Sequence, residues 1–368
     1  MNQFDQDRPA VDTATPLGRM TQAFPQTALW NDSADPGELR RSISFGAVGA
    51  TCNPVIALGA IRADLPRWTA RIAELAKERP TAGEPEIGWR IVEELSIAAA
   101  SLLEPIFEAH NGRNGRLSIQ TDPRLHRDAK ALADQAEHFS NLAPNIIVKL
   151  PATAAGIAAI EDVTFRGVSI NATVSFTVTQ AVEVAAAVER GLERREAAGL
   201  PVDQMGPVAT IMGGRLDDWL KHVAGKAGTL VTPGVLDWAG VAALKRAHAI
   251  FTERGYRTRV LSAAFRNHLQ LTELVGGDVV ISPPFGWQEK INANGLELPS
   301  RIDVPVDPAI IDELQRLVPE FSRAYEPDGM TVAEFEDFGA NRRTLRQFLA
   351  ADAELAALVR DILVPSAD

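Results

Sequence analysis

A lysine stands inside an apolar run that has the composition of a buried strand. The run is residues 145–153, "NIIVKLPAT", in which Lys149 follows three β-branched residues and precedes a leucine and a proline. A continuous apolar run bounded by turn residues is typical of a strand covered on both faces, as in a parallel sheet. Lysine is almost never fully buried without a partner. Two interpretations follow: an edge position from which the ammonium reaches water, or a site in which the amine does chemistry.

Other polar residues follow strand-like runs elsewhere in the chain. Each has a structural interpretation, since Asp32 could cap the next helix, Asn53 before a proline is ordinary turn chemistry, and Thr173 could be only a β-former. Stability alone does not require such a set of polar groups at the carboxyl ends of strands, where barrel enzymes carry their active sites. The candidate site residues are Asp32, Asn53, Gln120, Lys149, Asn171, Thr173, Arg215 and Arg266.

The lysine has a specific chemical use in such surroundings. Desolvation disfavours the charged ammonium and lowers the pKa of a lysine. The neutral amine can then attack a ketone and form a Schiff base. The iminium withdraws electrons from an adjacent C–C bond, which can break and leave an enamine. The sequence therefore favours a nucleophilic Lys149 over one that only reaches water.

The elements that must position these residues alternate between strand-like and helix-like patterns. Residues 178–198, for example, place alanine, valine and leucine on one helical face and charged residues largely on the other. Eight strands alternating with helices predict an α/β fold, a (β/α)8 TIM barrel, more than an open doubly wound sheet. No glycine motif for a dinucleotide or a nucleoside triphosphate follows any of the runs. The predicted strands are residues 27–32, 47–51, 116–121, 145–150, 168–173, 207–212, 258–263 and 278–282.

The ends of the chain differ from the barrel pattern. Residues 1–20 are expected to be a loose N-terminus. Residues 21–368 are expected to form one barrel domain, which includes a helix-rich C-terminal extension from about residue 301. A chain of 368 residues could hold two domains, but barrels of this class often exceed 200 residues as one.

Composition excludes several classes of protein. The net charge of -11 argues against nucleic-acid or membrane-surface binding but allows a local basic pocket for an anionic metabolite. The one cysteine, Cys52, excludes an intramolecular disulfide or a cysteine-based zinc cluster. The N-terminus lacks the pattern of a secretion signal, and no apolar run approaches the roughly 18 residues that a membrane helix needs. We therefore expect a soluble, cytoplasmic protein, as a monomer or homodimer.

Seven segments, in chain order, are "WNDSAD", "GATCNP", "GRLSIQTDPRL", "NIIVKLPATAAGIAAI", "VSINATVSFTVTQA", "GGRLDDW" and "AAFRN". In sequence, order and spacing they resemble the transaldolase family of class I aldolase barrels, over about residues 28–363. The resemblance implies a (β/α)8 barrel whose fourth-strand lysine carries a dihydroxyacetone unit between sugar phosphates. It implies neither a metal nor an organic cofactor.

The resemblance also implies roles for residues around the lysine. Lys149 matches the Schiff-base lysine. Asp32 matches the aspartate that handles the proton of the donor hydroxyl as the C–C bond breaks, and Asn53 matches an asparagine that binds donor hydroxyls. Asn171 and Thr173 match a fifth-strand pair, of which the threonine holds the catalytic water.

Two arginines match the residues that grip the substrate phosphate. They are Arg215 and Arg266, and paired guanidinium groups suit a phosphate dianion. They are the candidates for the basic pocket that the acidic net charge leaves open.

Three positions depart from the family pattern. Gln120 stands where a glutamate usually works through the bound water as acid and base; glutamine can orient that water but cannot take its proton. Fructose-6-phosphate aldolases also have glutamine there but add a sixth-strand tyrosine, and that position is Met212. Ala264 replaces a serine that usually helps to hold phosphate. These departures leave the acceptor, the anion and the acid–base assignment open.

Three functions remain. The first is a transaldolase or related transferase that moves a three-carbon ketol unit from a ketose phosphate, or another anionic ketose such as a sulfonated one, to an aldose phosphate. The second is a lyase of the same family that releases free dihydroxyacetone. The third is a non-catalytic sugar-phosphate binder, which a buried lysine disfavours because keeping it buried is costly. The chain length and the "SIQTDPRL" context favour transfer.

Overall fold

The computed structural model describes residues 10–367 as a sheet of eight parallel strands alternating with helices. The order in the sheet is β1-β8-β7-β6-β5-β4-β3-β2. The strands are β1 (Ala28–Leu29), β2 (Gly49–Cys52), β3 (Arg116–Gln120), β4 (Ile146–Pro151), β5 (Ile170–Thr173), β6 (Val208–Ile211), β7 (Arg259–Ser262) and β8 (Val279–Ile281).

The two ends of this sheet meet. Asn31, just after β1, forms a parallel bridge with Ala50 of β2. Backbone bonds run from Val48 N to Leu29 O at 2.7 Å and from Asn31 N to Gly49 O at 2.9 Å. The sheet thus closes into a (β/α)8 barrel, which confirms the predicted fold class.

Each predicted strand overlaps one observed strand. Every strand residue is buried, because helices cover the outer face and side chains fill the interior. This two-sided burial explains why the strands appear in the sequence as short, nearly continuous apolar runs. It also means that a polar side chain on an inward-facing position lies inside the barrel.

Helices connect the strands and cover the barrel. α8 matches the predicted helix at 178–198 and begins with a capping box, in which the side chains of Thr177 and Gln180 bond each other's backbone. The helices are α1 (Pro16–Ala23), α2 (Pro36–Ser44), α3 (Pro54–Ala63), α4 (Leu65–Glu78), α5 (Glu84–Ala109), α6 (Ala129–Ser140), α7 (Ala154–Arg166), α8 (Val178–Ala197), α9 (Gly213–Ala227), α10 (Ala239–Arg254), α11 (Leu269–Thr272), α12 (Phe285–Ala293), α13 (Pro308–Leu317), α14 (Pro319–Tyr325) and α15 (Gly339–Leu363).

The N-terminal segment at residues 16–20 is more ordered than the sequence predicted. Residues 1–9 lie outside the described residues. From Pro16 the chain forms α1, which packs against α12, and Leu17 and Met20 are buried. The predicted loose segment is therefore wrong for residues 16–20. The signals were present, since Thr15 caps α1 and a proline occupies its first turn.

The helical C-terminal extension is confirmed. It consists of α13, α14, a 3-10 helix at Val332–Asp337 and the long α15. α15 packs against α3, α4, α5 and α9. One anchor of α15 is Asp352, whose carboxylate accepts a hydrogen bond from Trp89 Nε1 at 3.0 Å. Among the described residues no helix has the length and apolar character that crossing a membrane requires.

Candidate active site

Lys149 lies in the interior of the barrel. It is on β4, where it pairs with Gln120 of β3 on one side and with Asn171 of β5 on the other. Residues paired across parallel strands share a face, so the three side chains point the same way. Only 4% of Lys149 is exposed. The ammonium therefore does not reach bulk water, and the edge-position interpretation is wrong.

The surroundings of Lys149 disfavour its charged form. Burial lowers the pKa of Lys149, and the Arg215 cation lowers it further, while the carboxylate of Asp32 raises it. Burial also raises the pKa of the nearby Cys52 thiol to about 12, so this cysteine is neutral at physiological pH. A lysine with a lowered pKa yields more of the neutral amine that attacks carbonyl groups.

Lys149→Met is expected to raise the melting temperature near pH 7. Because burial lowers the pKa of Lys149 from 10.5 in the folded protein, the unfolded chain binds this proton more strongly. The stability of the parent should then rise with pH until about 10.5, and that contribution is absent in the methionine variant. The difference in melting temperature should shrink as pH rises, which thermal unfolding between about pH 6.5 and 9.5 would measure. A difference independent of pH would contradict this expectation.

Asp32 follows β1 and does not cap the next helix. That helix, α2, is capped by Asp35, whose carboxylate accepts from Glu38 N at 2.8 Å. The Asp32 carboxylate instead accepts a hydrogen bond from the Thr51 hydroxyl of β2. It is also close enough to Lys149 to influence the pKa of that lysine. Asp32 is thus held beside the amine by the neighbouring strand.

Asn53 combines a structural task with a free donor group. Its side-chain oxygen caps α3 by accepting from Val55 N at 2.9 Å and Ile56 N at 3.0 Å, so the structural task of this residue is that of a helix N-cap. Within residues 10–367, its amide nitrogen has no hydrogen-bond partner. The two hydrogens of that nitrogen remain able to bind a hydroxyl group of a ligand.

Asn171 is the centre of a buried hydrogen-bond network. Its amide nitrogen donates to the Ser118 hydroxyl of β3 at 3.0 Å, and its oxygen accepts from the Thr210 hydroxyl of β6 at 2.7 Å. Both bonds span the barrel interior next to Lys149. A satisfied buried asparagine of this kind fixes the shape of the site.

Gln120 and Thr173 lie on either side of the lysine strand. The side-chain oxygen of Gln120 is buried and has no partner among the described residues. The Thr173 hydroxyl lies 4.0 Å from the sulfur of Met212. A thioether is a weak acceptor. Both polar groups can therefore hold a water molecule or a substrate hydroxyl.

The residue after Thr173 is strained. Val174 has φ 50, in the left-handed region, where a β-branched residue is an outlier. Its carbonyl accepts from Gln180 Nε2 and from Asn341 Nδ2, each at 3.1 Å. Such strain persists only where the surrounding structure fixes it, and here α15 supplies one of the two donors. α15 thus helps to set the end of β5.

The two arginines lie at one end of the site. A Cβ atom on Gly214 would come within 2.0 Å of Ala264 O, so this glycine lets the segment after β7 approach α9. That approach brings Arg266 beside Arg215, whose pKa is lowered by burial and by the Arg266 cation. Arg266 also pairs with Asp218 at 2.7 Å.

Several site residues were not predicted. Thr51, Ser118 and Thr210 bond to Asp32 or Asn171. They lie two residues before Asn53, Gln120 and Met212, respectively. The period of two along a strand could have identified them, because alternate residues share a face. Among the described residues no cluster of three or more histidine, cysteine or acidic side chains could hold a metal ion.

These contacts describe a parallel barrel with a desolvated lysine at its centre, surrounded by amides, hydroxyls and one carboxylate. Such a site suits amine-based carbonyl chemistry. A family model described as transaldolase/fructose-6-phosphate aldolase matches residues 29–327. The chain belongs to this family.

Individual relatives agree with the family match. The chain is 32% identical over 262 residues to "Transaldolase 1" of Streptomyces avermitilis, covering 65% of this chain and 68% of that protein. It is 31% identical over 304 residues to "Transaldolase 1" of Streptomyces coelicolor, covering 75% and 78%. It is 26% identical over 349 residues to "Transaldolase" of Thiobacillus denitrificans, covering 89% and 95%.

Proposed function

We propose that this protein is a transaldolase that moves a dihydroxyacetone unit from a ketose phosphate to an aldose phosphate through a Schiff base on Lys149. The observation that carries the proposal is the burial of Lys149 between Gln120 and Asn171, within electrostatic range of Asp32. The three relatives described above are named transaldolases, which supports a transaldolase activity for this protein.

The first half of the reaction builds and then cleaves a covalent adduct. The neutral amine of Lys149 attacks the donor ketone, and the carbonyl oxygen leaves as water, with Gln120 and Thr173 positioning that water. The iminium takes up the electron pair of the adjacent C–C bond. Asp32 accepts the proton of the neighbouring hydroxyl, and the leaving fragment departs as an aldose phosphate.

The second half reverses these steps with a new partner. The enamine on Lys149 attacks the aldehyde carbon of the acceptor, and Asp32 returns its proton to the alkoxide that forms. Water then adds to the iminium and releases the product ketose. If no aldose arrives, protonation of the enamine followed by hydrolysis releases free dihydroxyacetone.

The second candidate function is that lyase reaction, which the amide at Gln120 supports. A panel of ketose phosphate donors, each tested with and without aldose phosphates, separates the two. Turnover that requires an aldose supports transfer. Equal release of dihydroxyacetone without any aldose would assign the lyase, and no turnover with any donor would contradict both.

Arg215→Gln is expected to lower kcat/KM for phosphorylated donors far more than for unphosphorylated ones. Loss of a charge-assisted hydrogen bond typically costs about 1.5–3 kcal/mol, or roughly 10- to 150-fold in kcat/KM. Arg266→Gln should show the same selectivity. The measurement compares kcat/KM for fructose 6-phosphate and fructose in each variant. Equal losses for both donors would show that the arginines are structural.

A further inference from the structure

A cavity of about 930 Å³ opens at the amino-terminal end of the barrel. This volume is in the range of small-molecule sites. Arg116 and Gln120 are the two ends of β3, so the cavity lies roughly 13 Å along the strand from the site around Lys149. We call it the basal cavity. Its walls include Arg116 at the start of β3, Ile146 at the start of β4, Ser169 before β5, and Gln204 and Met205 before β6.

The inner wall of the basal cavity carries a buried guanidinium group, that of Arg116. Only 2% of this residue is exposed, and one face of the group lies over the ring of Phe107 at 5.1 Å. A guanidinium group has five N–H donors in its plane. In the described part of the chain its only hydrogen bond runs from Nη2 to Gln204 O, and Nε is buried without a partner. Most in-plane donors of Arg116 are therefore unused.

Two further buried arginines lie at this end of the barrel. Arg195 lines the cavity and donates only to backbone oxygens, at 3.1, 2.7 and 2.9 Å. Arg259 begins β7 and donates to the Asn114 side chain and to a backbone oxygen. Burial and the Arg259 cation lower the pKa of Arg116 to about 9, so Arg116 is still charged at neutral pH. None of the three arginines pairs with a carboxylate of the described residues, and buried cations without such partners are costly.

The carboxylates of the basal cavity lie at its rim. Glu137 and Asp203 line the cavity and are exposed. Glu137 is also paired with the exposed Arg166 at 2.8 Å. Water and salt screen exposed charges, whereas buried cations act through a lower dielectric. The inner wall of the cavity is therefore positive, although the whole chain carries a net charge of -11.

We propose that the basal cavity is an anion site separate from the barrel mouth, in which Arg116 binds a phosphate dianion, either free or as the phosphate group of a small metabolite. The planar donors of a guanidinium group match phosphate oxygens. A dianion would also offset two of the three buried positive charges of Arg116, Arg195 and Arg259. The proposal does not depend on the proposed function, because the cavity opens at the opposite end of the barrel from Lys149.

The test measures phosphate binding by a full chain that lacks the two arginines at the barrel mouth. Arg215→Gln/Arg266→Gln is the reference chain, because those arginines are the other candidates for binding an anion. Isothermal titration calorimetry with inorganic phosphate at about pH 7.5 should show one site per reference chain. Adding Arg116→Gln should weaken phosphate binding by about 10- to 150-fold. A reference chain that binds no phosphate would overturn the proposal, as would unchanged binding after Arg116→Gln.

A second variant keeps the test decisive if Arg116→Gln does not fold. Gln204→Glu is nearly isosteric and lies on an exposed part of the cavity wall, so the fold should tolerate it. Its carboxylate competes with the anion for Arg116. Phosphate binding by the reference chain should weaken by about fivefold, as one added like charge close to the anion would cause. Binding equal to that of the reference chain would contradict the proposal.

The matched control is Arg113→Gln at the same end of the barrel. Arg113 is exposed and pairs with Asp278 at 2.6 Å, and its side chain does not line the cavity. Phosphate affinity should be unchanged in this variant. A loss as large as that of Arg116→Gln would overturn the proposal, because the effect would then be one of general charge.

Glycerol 1-phosphate and glycerol identify the source of the phosphate group. Tighter binding of glycerol 1-phosphate than of inorganic phosphate would support the site and assign it to a phosphorylated metabolite. The reverse order would support the site and assign it to free phosphate. Glycerol binding as tight as that of glycerol 1-phosphate would overturn the proposal, because the cavity would then not recognise the anion.

Discussion

Lys149→Arg is expected to abolish turnover and to abolish the covalent adduct that borohydride traps from the parent in the presence of a ketose phosphate. Arginine stays protonated and cannot act as a nucleophile, although it keeps the positive charge. The loss should be complete within detection, because no other group replaces the bond between the amine and the substrate carbon. Mass spectrometry of peptides after reduction measures the adduct and locates it.

Two other lysines provide the internal control for this experiment. Lys130 is exposed and pairs with Asp134 at 2.5 Å, and Lys245 pairs with Glu273 at 3.0 Å. Neither should carry an adduct. Because arginine is larger than lysine and the site is buried, Lys149→Met serves as a second variant that changes volume less. An adduct on Lys130 or Lys245, or turnover in a folded Lys149 variant, would show that the nucleophile is elsewhere.

The barrel could be predicted because its strands and helices require recognisable patterns of apolar residues in the sequence. A strand buried on both faces needs a short apolar run, and a parallel connection needs a helix between runs. All eight runs therefore stood out, even β1, where the structure retains only Ala28–Leu29 as a strand. α1 was missed because it is only eight residues long and follows a polar N-terminal segment, although Thr15 and the proline after it mark a helix start.

The candidate site was predictable where a residue lies at a strand end and less so where contacts come from distant segments. Lys149, Asn171 and Gln120 lie side by side on adjacent strands, because the register of the parallel pairing aligns them. For Arg343, on α15, no strand register indicates a position near the site. Which face of α15 meets the barrel depends on how the helix docks, and an exposed arginine in a charged helix is usually a solvated surface residue. Only the structure places it beside Arg215.

Asp32→Asn is expected to lower the rate of C–C cleavage by about 10²- to 10⁴-fold while still allowing an adduct to be trapped on Lys149. Asparagine cannot take up the hydroxyl proton, but its oxygen can still accept the hydrogen bond from Thr51 that holds Asp32 in place. The fold should therefore persist. Single-turnover measurements with one ketose phosphate separate adduct formation from release of the aldose, and normal release would mean that another group handles the proton.

Gln120→Glu is the companion variant, because Gln120 is the position at which this chain departs most clearly from the family pattern. The change is nearly isosteric and places a titratable group beside Lys149, on the paired position of β3. A carboxylate there can accept and donate the protons of carbinolamine formation and breakdown. An amide can only orient the water molecule that carries them. We expect a faster transfer rate or a shifted acid limb in the pH–rate profile. A profile and rate identical to those of the parent would show that the proton transfers at this step do not pass through position 120. Asp32 and the water beside Thr173 would then remain as the groups to test.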